Sequence, residues 1–501
     1  MKTERMKIDP GVFIASATAV VIVLAFGVAA PDRARTVFLG LQDLIVSRLD
    51  WLFMGSTAIF LVFSLGIAIA PTGRIRLGPD DAPPAYGFRP WFAMLFSAGM
   101  GIGIMFYGVA EPLTHYAAPP RGLGGTAESA RLAMTIAFYH WGFHAWAVYV
   151  VMGLAIAYFG HRRGFPLAVR STLHPFLGEK IHGPLGQAVD TLAVFGTLFG
   201  LATSLGLGAM QVNAGLHRLF GTTESTVVQV ALIAAITAAA TTSVVLGLDR
   251  GIRRLSELNV ALAVSLLLFV VIAGPTTLLL KAFPARLFDY GAALFPLALG
   301  LRPLGDLEWN KSWTIFYWAW WIAWSPFVGT FIARISRGRT VREFVVGVLF
   351  VPTLVSALWF TVFGWTAIHM DSIHPGLAEA VRTNIPTGIY AMLDRLPWAG
   401  ATSLLAAVVV AVFFITSSDS GSFVVDMLTS GGHPNPPVWQ RVFWAVSEGV
   451  VAAVLLVGGG LRALQSAAIN TGLPFCLVLL VVCAGLGRSL WIDARNEAPG
   501  E

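Results

Sequence analysis

The stretch WNKSWTIFYWAWWIAW, residues 309–324, holds six of the sixteen tryptophans in this 501-residue chain. At about 100° per residue on a helix, Trp313, Tyr317, Trp320 and Trp324 fall in one stripe. Trp321 lies beside that stripe and Trp318 further round. Stacked indole faces are good hosts for a cation that cannot donate hydrogen bonds, such as a quaternary ammonium. An interfacial aromatic belt is the plainer explanation, but anchoring needs only one or two rings at each helix end. Six rings running through an otherwise apolar segment favour a binding wall.

Outward from this stretch, composition points to the membrane. The chain is 56% hydrophobic and 12% charged, with a mean hydropathy of +0.73. A soluble protein of this length cannot expose so little charge. Twelve apolar runs are long enough to span a bilayer, near 11–30, 51–70, 91–110, 133–159, 187–215, 226–247, 258–280, 312–333, 344–368, 400–428, 438–459 and 471–491. The expected class is therefore an all-α integral membrane protein. With the N-terminus inside, 20 of the 33 basic residues fall on inner segments and 13 on outer ones, although the outer loops are longer. The positive-inside rule then puts both termini in the cytoplasm. The basic excess is accounted for by the anionic leaflet, so no nucleic-acid partner is implied. The first apolar run is read as a retained span rather than a cleaved signal peptide. Cys476 and Cys483, both in the last run, are read as packing residues and not as a disulfide or metal pair.

A second element is SAGMGIG at 97–103. Three glycines at alternate positions in mid-membrane cost helix stability, about 1 kcal/mol each relative to alanine. Gly99 and Gly103 also satisfy the small-xxx-small spacing of close helix packing. The sharper reading is an interrupted helix around Gly99, Met100, Gly101 and Gly103. Its freed N–H groups would face a substrate carboxylate and its freed carbonyls a cation. Glu111-Pro112 is expected to end this segment at the outer surface. A third element is FFITSSDSGS at 413–422. Consecutive hydroxyls and an acid in an apolar segment belong in a cavity or a bundle interior. They suit either a small alkali cation or ordinary interhelical hydrogen bonding.

With these residues in view, the chain resembles the betaine/choline/carnitine transporter family over nearly its whole length. The resemblance rests on GMGIGIMFYGVAEPLTHY at 99–116, FYHWGFHAWAVY at 138–149, SLGLGAMQVNAGL at 204–216, WTIFYWAWWIAWSPFVGTFIARISRGRTVREF at 313–344 and FFITSSDS at 413–420. Within the family it is most similar to the sodium-coupled glycine betaine carriers. The resemblance implies a LeuT-like core of two inverted five-helix repeats, at 91–282 and 312–492. Residues 1–90 would form two peripheral helices, 283–311 an outer amphipathic connection and 493–501 a short cytoplasmic tail. It also implies a homotrimer in the bacterial inner membrane.

The same resemblance implies the site. Trp141, Trp146, Tyr149 and Trp321 would form the substrate box, with Phe316, Trp318, Trp320 and Trp324 along the route. A sodium site would use the carbonyls of Ser97, Met100 and Phe413 and the hydroxyls of Thr416 and Ser417. Sodium would be the coupling ion, and no cofactor is expected. At a second sodium site Thr197 and Phe327 match, but Leu201 replaces a threonine ligand, which weakens the case for two ions. Gly103 stands where proton-coupled choline carriers of the family tend to have aspartate, which argues against proton coupling.

The implied activity is sodium-coupled import of a quaternary-ammonium solute, foremost glycine betaine. A sodium-independent carnitine-type antiporter and a choline carrier are the alternatives within the transporter class. An enzyme is disfavoured because no nucleophile–base arrangement accompanies the tryptophans. His140 and His144, four apart, lack the acid and third ligand of a metal motif. His115, His174 and His182 read as loop or interface residues, and Asp190, Asp419, Asp426 and Glu448 as bundle-interior acids. The C-terminal RSLWIDARNEAPGE has two arginines and a balancing set of acids, unlike the long charged extensions of osmosensing carriers. Uptake is therefore expected to change little with external osmolality; a steep rise in a proteoliposome assay under hyperosmotic shock would overturn this.

Overall fold

A computed structural model of the chain describes residues 8–99, 101–245, 249–300, 304–433 and 436–496. Among these residues it is helical, apart from one isolated antiparallel bridge between Arg76 and Thr340. The chain runs through α1 (Pro10–Ala29), α2 (Pro31–Ile69), α3 (Phe88–Gly99), α4 (Ile102–Ala117), α5 (Ala127–Trp141) and α6 (Phe143–Ala157). The short α7 (His174–Leu177) precedes α8 (Pro184–Phe220), α9 (Thr226–Val245), α10 (Asp249–Ala273) and α11 (Thr276–Ala298). The short α12 (Leu307–Ser312) leads into α13 (Thr314–Ile335) and α14 (Val341–Phe360). Three short helices, α15 (Thr366–Ile373), α16 (Leu377–Thr383) and α17 (Gly388–Leu393), come before α18 (Ala399–Leu428) and α19 (Val438–Asn496).

Among the described residues, seven helical runs are long and apolar enough to cross a membrane, or eight if a bent pair counts as one span. Among the described residues the twelve expected segments lie on helix, and breaks redraw some of them. The third is split into α3 and α4. The seventh ends at Ala273, where Gly274–Pro275 turns the chain through 112° into α11, so 258–280 is not one span. The last two lie on either side of a kink in α19 at Gly459 and Gly460, whose backbone is non-helical, so they remain two segments.

Burial separates a centre from a periphery. The most apolar window of Ala127–Arg162 is 94% buried and that of α8 is 89%, against 17% for α1. An apolar helix with so little protein cover faces lipid, while α5, α6 and α8 are enclosed by other helices. Breaks in the enclosed helices carry compensating contacts. At Gly142, between α5 and α6, the Phe143 amide donates to the Tyr290 hydroxyl of α11 at 3.0 Å. A Cβ on Gly142 would meet that hydroxyl at 2.7 Å.

Two local expectations are corrected here. Glu111-Pro112 does not end its segment, because α4 continues to Ala117 with Pro112 inside the helix and Glu111 fully buried. His115, expected in a loop or at an interface, is likewise fully buried on α4. Both face protein rather than water because α5, α12 and α13 cover that end of α4.

Helix α13 packs closely on α19 through Gly472, where a Cβ would lie 2.8 Å from the Ala319 carbonyl oxygen and 3.0 Å from its Cα. Neither backbone atom can move without shifting a helix. Gly472→Ala should therefore cost about 1–3 kcal/mol, seen as a lower thermal midpoint of the purified protein in detergent. An unchanged midpoint would show that the two helices separate freely.

Candidate functional site

Three helices bring the aromatic residues together. Trp141 ends α5, the break at Gly142 redirects the chain, and Trp146 and Tyr149 follow on α6. Trp320, Trp321 and Trp324 come from the middle of α13. Trp141, Ala145, Trp146, Tyr149, Trp321, Trp324 and Ser356 line one small, nearly closed cavity of about 10 Å³. Trp141 and Trp321 meet edge-to-face with centroids 5.0 Å apart, and Tyr149 lies 6.1 Å from Trp321 and 5.3 Å from Trp146. Phe316, Trp320 and Trp321 form a near-parallel stack with spacings of 5.4 and 5.2 Å. Trp324 continues the surface, 6.1 Å from Trp320 and 5.6 Å from Phe327. A cation is attracted within about 6 Å of a ring centroid. Because Trp141 and Trp321 already touch, a trimethylammonium group can sit between them only if they part.

The polar atoms at this cavity are few. The Tyr149 hydroxyl and the Trp324 indole nitrogen are buried without a hydrogen-bond partner, so both remain available as donors. The Trp321 indole donates to the His140 carbonyl at 2.9 Å and the Trp320 indole to the Gly200 carbonyl at 3.3 Å. These bonds fix ring planes on α13 against α5 and α8.

The glycines make the room. A Cβ on Gly103 would lie 2.7 Å from Trp320 and 2.8 Å from Trp141, and one on Gly200 would lie 2.6 Å from Trp324. Gly101 is extended (φ −150°, ψ −169°), and α4 begins at Ile102 with no side chain capping its N-terminus. The helix is thus interrupted, with Gly99 the last residue of α3. Met100 and the side chain of Ser97 lie outside the described residues.

The structure does not gather every candidate. Trp318 points away from the cavity, with its indole on the Met54 sulfur at 3.3 Å and its ring against Tyr139 and His144. Thr416 sits on the continuous α18, and its hydroxyl donates to the Val412 and Phe413 carbonyls at 3.0 and 3.2 Å. Ser417 follows it, half-buried. Their region does approach the break in the third segment, because a Cβ on Gly208 of α8 would touch both Ile102 and Phe414. Thr197 on α8 is fully buried with an unpartnered hydroxyl. Leu201, on the same helix, fills the space over Gly421 of α18.

The buried acids divide by partner. Asp190 pairs with Arg170, which also reaches Asp9 at 2.7 Å, and Asp426 pairs with Arg441 at 3.4 Å. Glu448 accepts from Ser418 and Ser422 at 3.3 and 3.5 Å, tying the hydroxyl motif to α19. Glu111 is different, because its partners are groups of the aromatic site. Sequence reading places it at the outer surface, although an acid in an apolar segment is itself a signal of function. Cys476 and Cys483 are buried and unbridged.

With this geometry established, comparison with known proteins adds three relatives and a family. Residues 11–495 match the model of the BCCT, betaine/carnitine/choline family transporters. The chain is 45% identical to a glycine betaine transporter of Acinetobacter baylyi over 492 residues, covering 98% of this chain and 74% of that protein. It is 45% identical to the glycine betaine transporter OpuD of Bacillus subtilis over 479 residues, 95% and 93% of the two chains. It is 41% identical to a high-affinity choline transport protein of Escherichia coli over 505 residues, 99% and 74% of the two.

Gly103→Ala should push Trp141 and Trp320 apart and lower affinity for a quaternary-ammonium ligand about tenfold, or about 1.4 kcal/mol. Tryptophan fluorescence titration would read this directly. Unchanged affinity would mean that the glycine does not set the spacing of the rings.

Proposed function

This chain belongs to the betaine/carnitine/choline transporter family, and on that premise we propose that it imports glycine betaine by sodium symport with alternating access. The family is one of transporters rather than enzymes. The observation that carries the substrate reading is the cavity between α5, α6 and α13, walled by Trp141, Trp146, Tyr149, Trp321 and Trp324. A trimethylammonium group has a diffuse charge and an apolar surface, and aromatic faces suit both. The unpartnered Tyr149 hydroxyl and Trp324 N–H supply donors that a carboxylate accepts more strongly than the neutral hydroxyl of choline does. Two relatives bearing the name glycine betaine transporter support the same choice.

In this reading the interrupted third segment and α18 hold the coupling ion. Ser97, Met100 and Phe413 offer carbonyls, and Thr416 and Ser417 offer hydroxyls once Thr416 releases its helical carbonyls. Thr197 is the best-supported residue of a second ion site, its buried hydroxyl being unpaired. Binding of the ion would favour the substrate-competent state, and the two repeats, 91–282 and 312–492, would rock around the cavity to release both inside. The protein would act as a homotrimer in the bacterial inner membrane with both termini in the cytoplasm.

Uptake of labelled glycine betaine into proteoliposomes should require an inward sodium gradient, and Thr416→Ala with Ser417→Ala should raise the half-saturating sodium concentration at least tenfold. Exchange that ignores sodium but needs preloaded substrate would move the protein to the antiporters. Uptake of choline in preference to betaine would move it to the choline carriers.

A further inference from the structure

Glu111 is fully buried, and three helices converge on its carboxylate. Oε2 accepts from the Trp141 indole N–H at 2.9 Å and from the Tyr317 hydroxyl at 2.6 Å. Oε1 lies 2.6 Å from His140 Nδ1, and His140 Nε2 lies 2.9 Å from the Thr314 hydroxyl. With a proton on Nδ1, His140 donates to Glu111, so three donors meet an acceptor-only carboxylate. His140 also accepts the Trp321 indole through its carbonyl. Trp141 is thus held by this acid directly, while Trp321 is tied to the backbone of the neighbouring His140.

The charge is not cancelled by a permanent cation. Among the described residues the basic groups paired with Glu111 are His140 and, at 3.7 Å, His115, and no Lys or Arg forms an ion pair with it. A buried carboxylate without a fixed counter-ion is costly in a low-dielectric interior. A cation against Trp141 would recover part of that cost, because the indole holds the carboxylate on its N–H edge and lines the cavity.

We propose that Glu111 is the fixed counter-charge of the aromatic cavity and the residue that orients Trp141 in it, so that the site selects a quaternary ammonium over its uncharged isostere. The inference rests on the betaine-binding reading above and names what makes that site cation-selective. Glu111 is a positioning and specificity residue, since it acts through Trp141 and through its field.

The test compares glycine betaine with 3,3-dimethylbutanoate, which replaces the ammonium nitrogen by carbon, as ligands for the purified full-length protein. Wild type should prefer betaine by at least a hundredfold. Glu111→Gln, which keeps the shape and removes the charge, should narrow that preference at least tenfold, while Glu111→Asp should retain most of it. Equal preference in wild type and Glu111→Gln would overturn the proposal while leaving the betaine reading intact. Failure of wild type to bind betaine would overturn both. Tyr317→Phe removes one anchoring hydroxyl and keeps the charge, so it tests positioning even if Glu111→Gln does not fold. It should raise KM for betaine three- to tenfold with kcat within twofold, and an unchanged KM would refute the positioning role.

Discussion

Inside a bilayer the backbone has no water to bond, so every N–H and C=O must find a partner within the protein. That constraint makes the chain helical and also dictates where helices can stop. The interruption at Gly101 and the break at Gly142 lie in enclosed parts of the structure, and the Tyr290 hydroxyl caps the second. Without the Gly142 break, Trp141 and Trp146 would sit on one straight rod, five residues apart and on different faces. The redirected chain lets both reach a single cavity. The fold tolerates irregular backbone where surrounding protein can satisfy it, and those are the places where a polar solute can be held.

Aromatic rings and glycines act as one device at this cavity. Three of the indoles are set against residues with no side chain: Trp141 and Trp320 against Gly103, and Trp324 against Gly200. The glycines of the third segment therefore do two jobs. Gly101 gives the chain its extended turn, and Gly103 provides the volume that the rings occupy. The same packing explains why Trp318, in the same run of sequence, does not join the cavity. Its ring faces α2, α5 and α6, where Met54, Tyr139 and His144 receive it.

Polar groups in the interior divide into ties and carriers of chemistry. Arg170 with Asp190 and Asp426 with Arg441 are paired ions that hold helix ends together. Glu111 differs because its partners are neutral donors and histidines, so its charge is directed at the aromatic site. Thr416 shows the opposite economy: its hydroxyl is committed to its own helix, and an ion must compete with two carbonyls for it.

The membrane class, most of the twelve apolar segments, the break near Gly101 and the tryptophans that meet were legible in the sequence. Each depends on local pattern: hydropathy over a span, glycine against helix propensity, and ring spacing along one helix. Glu111 was misread because a Glu-Pro pair locally resembles a helix end, whereas its burial depends on α5, α12 and α13 closing over it. The bends at Gly142 and at Gly274–Pro275 and the outward turn of Trp318 were hidden for the same reason. Composition and periodicity report what one helix prefers by itself. Which faces meet, which breaks are satisfied and which acid governs the rings are set by contacts between residues hundreds of positions apart, and only the tertiary structure decides those.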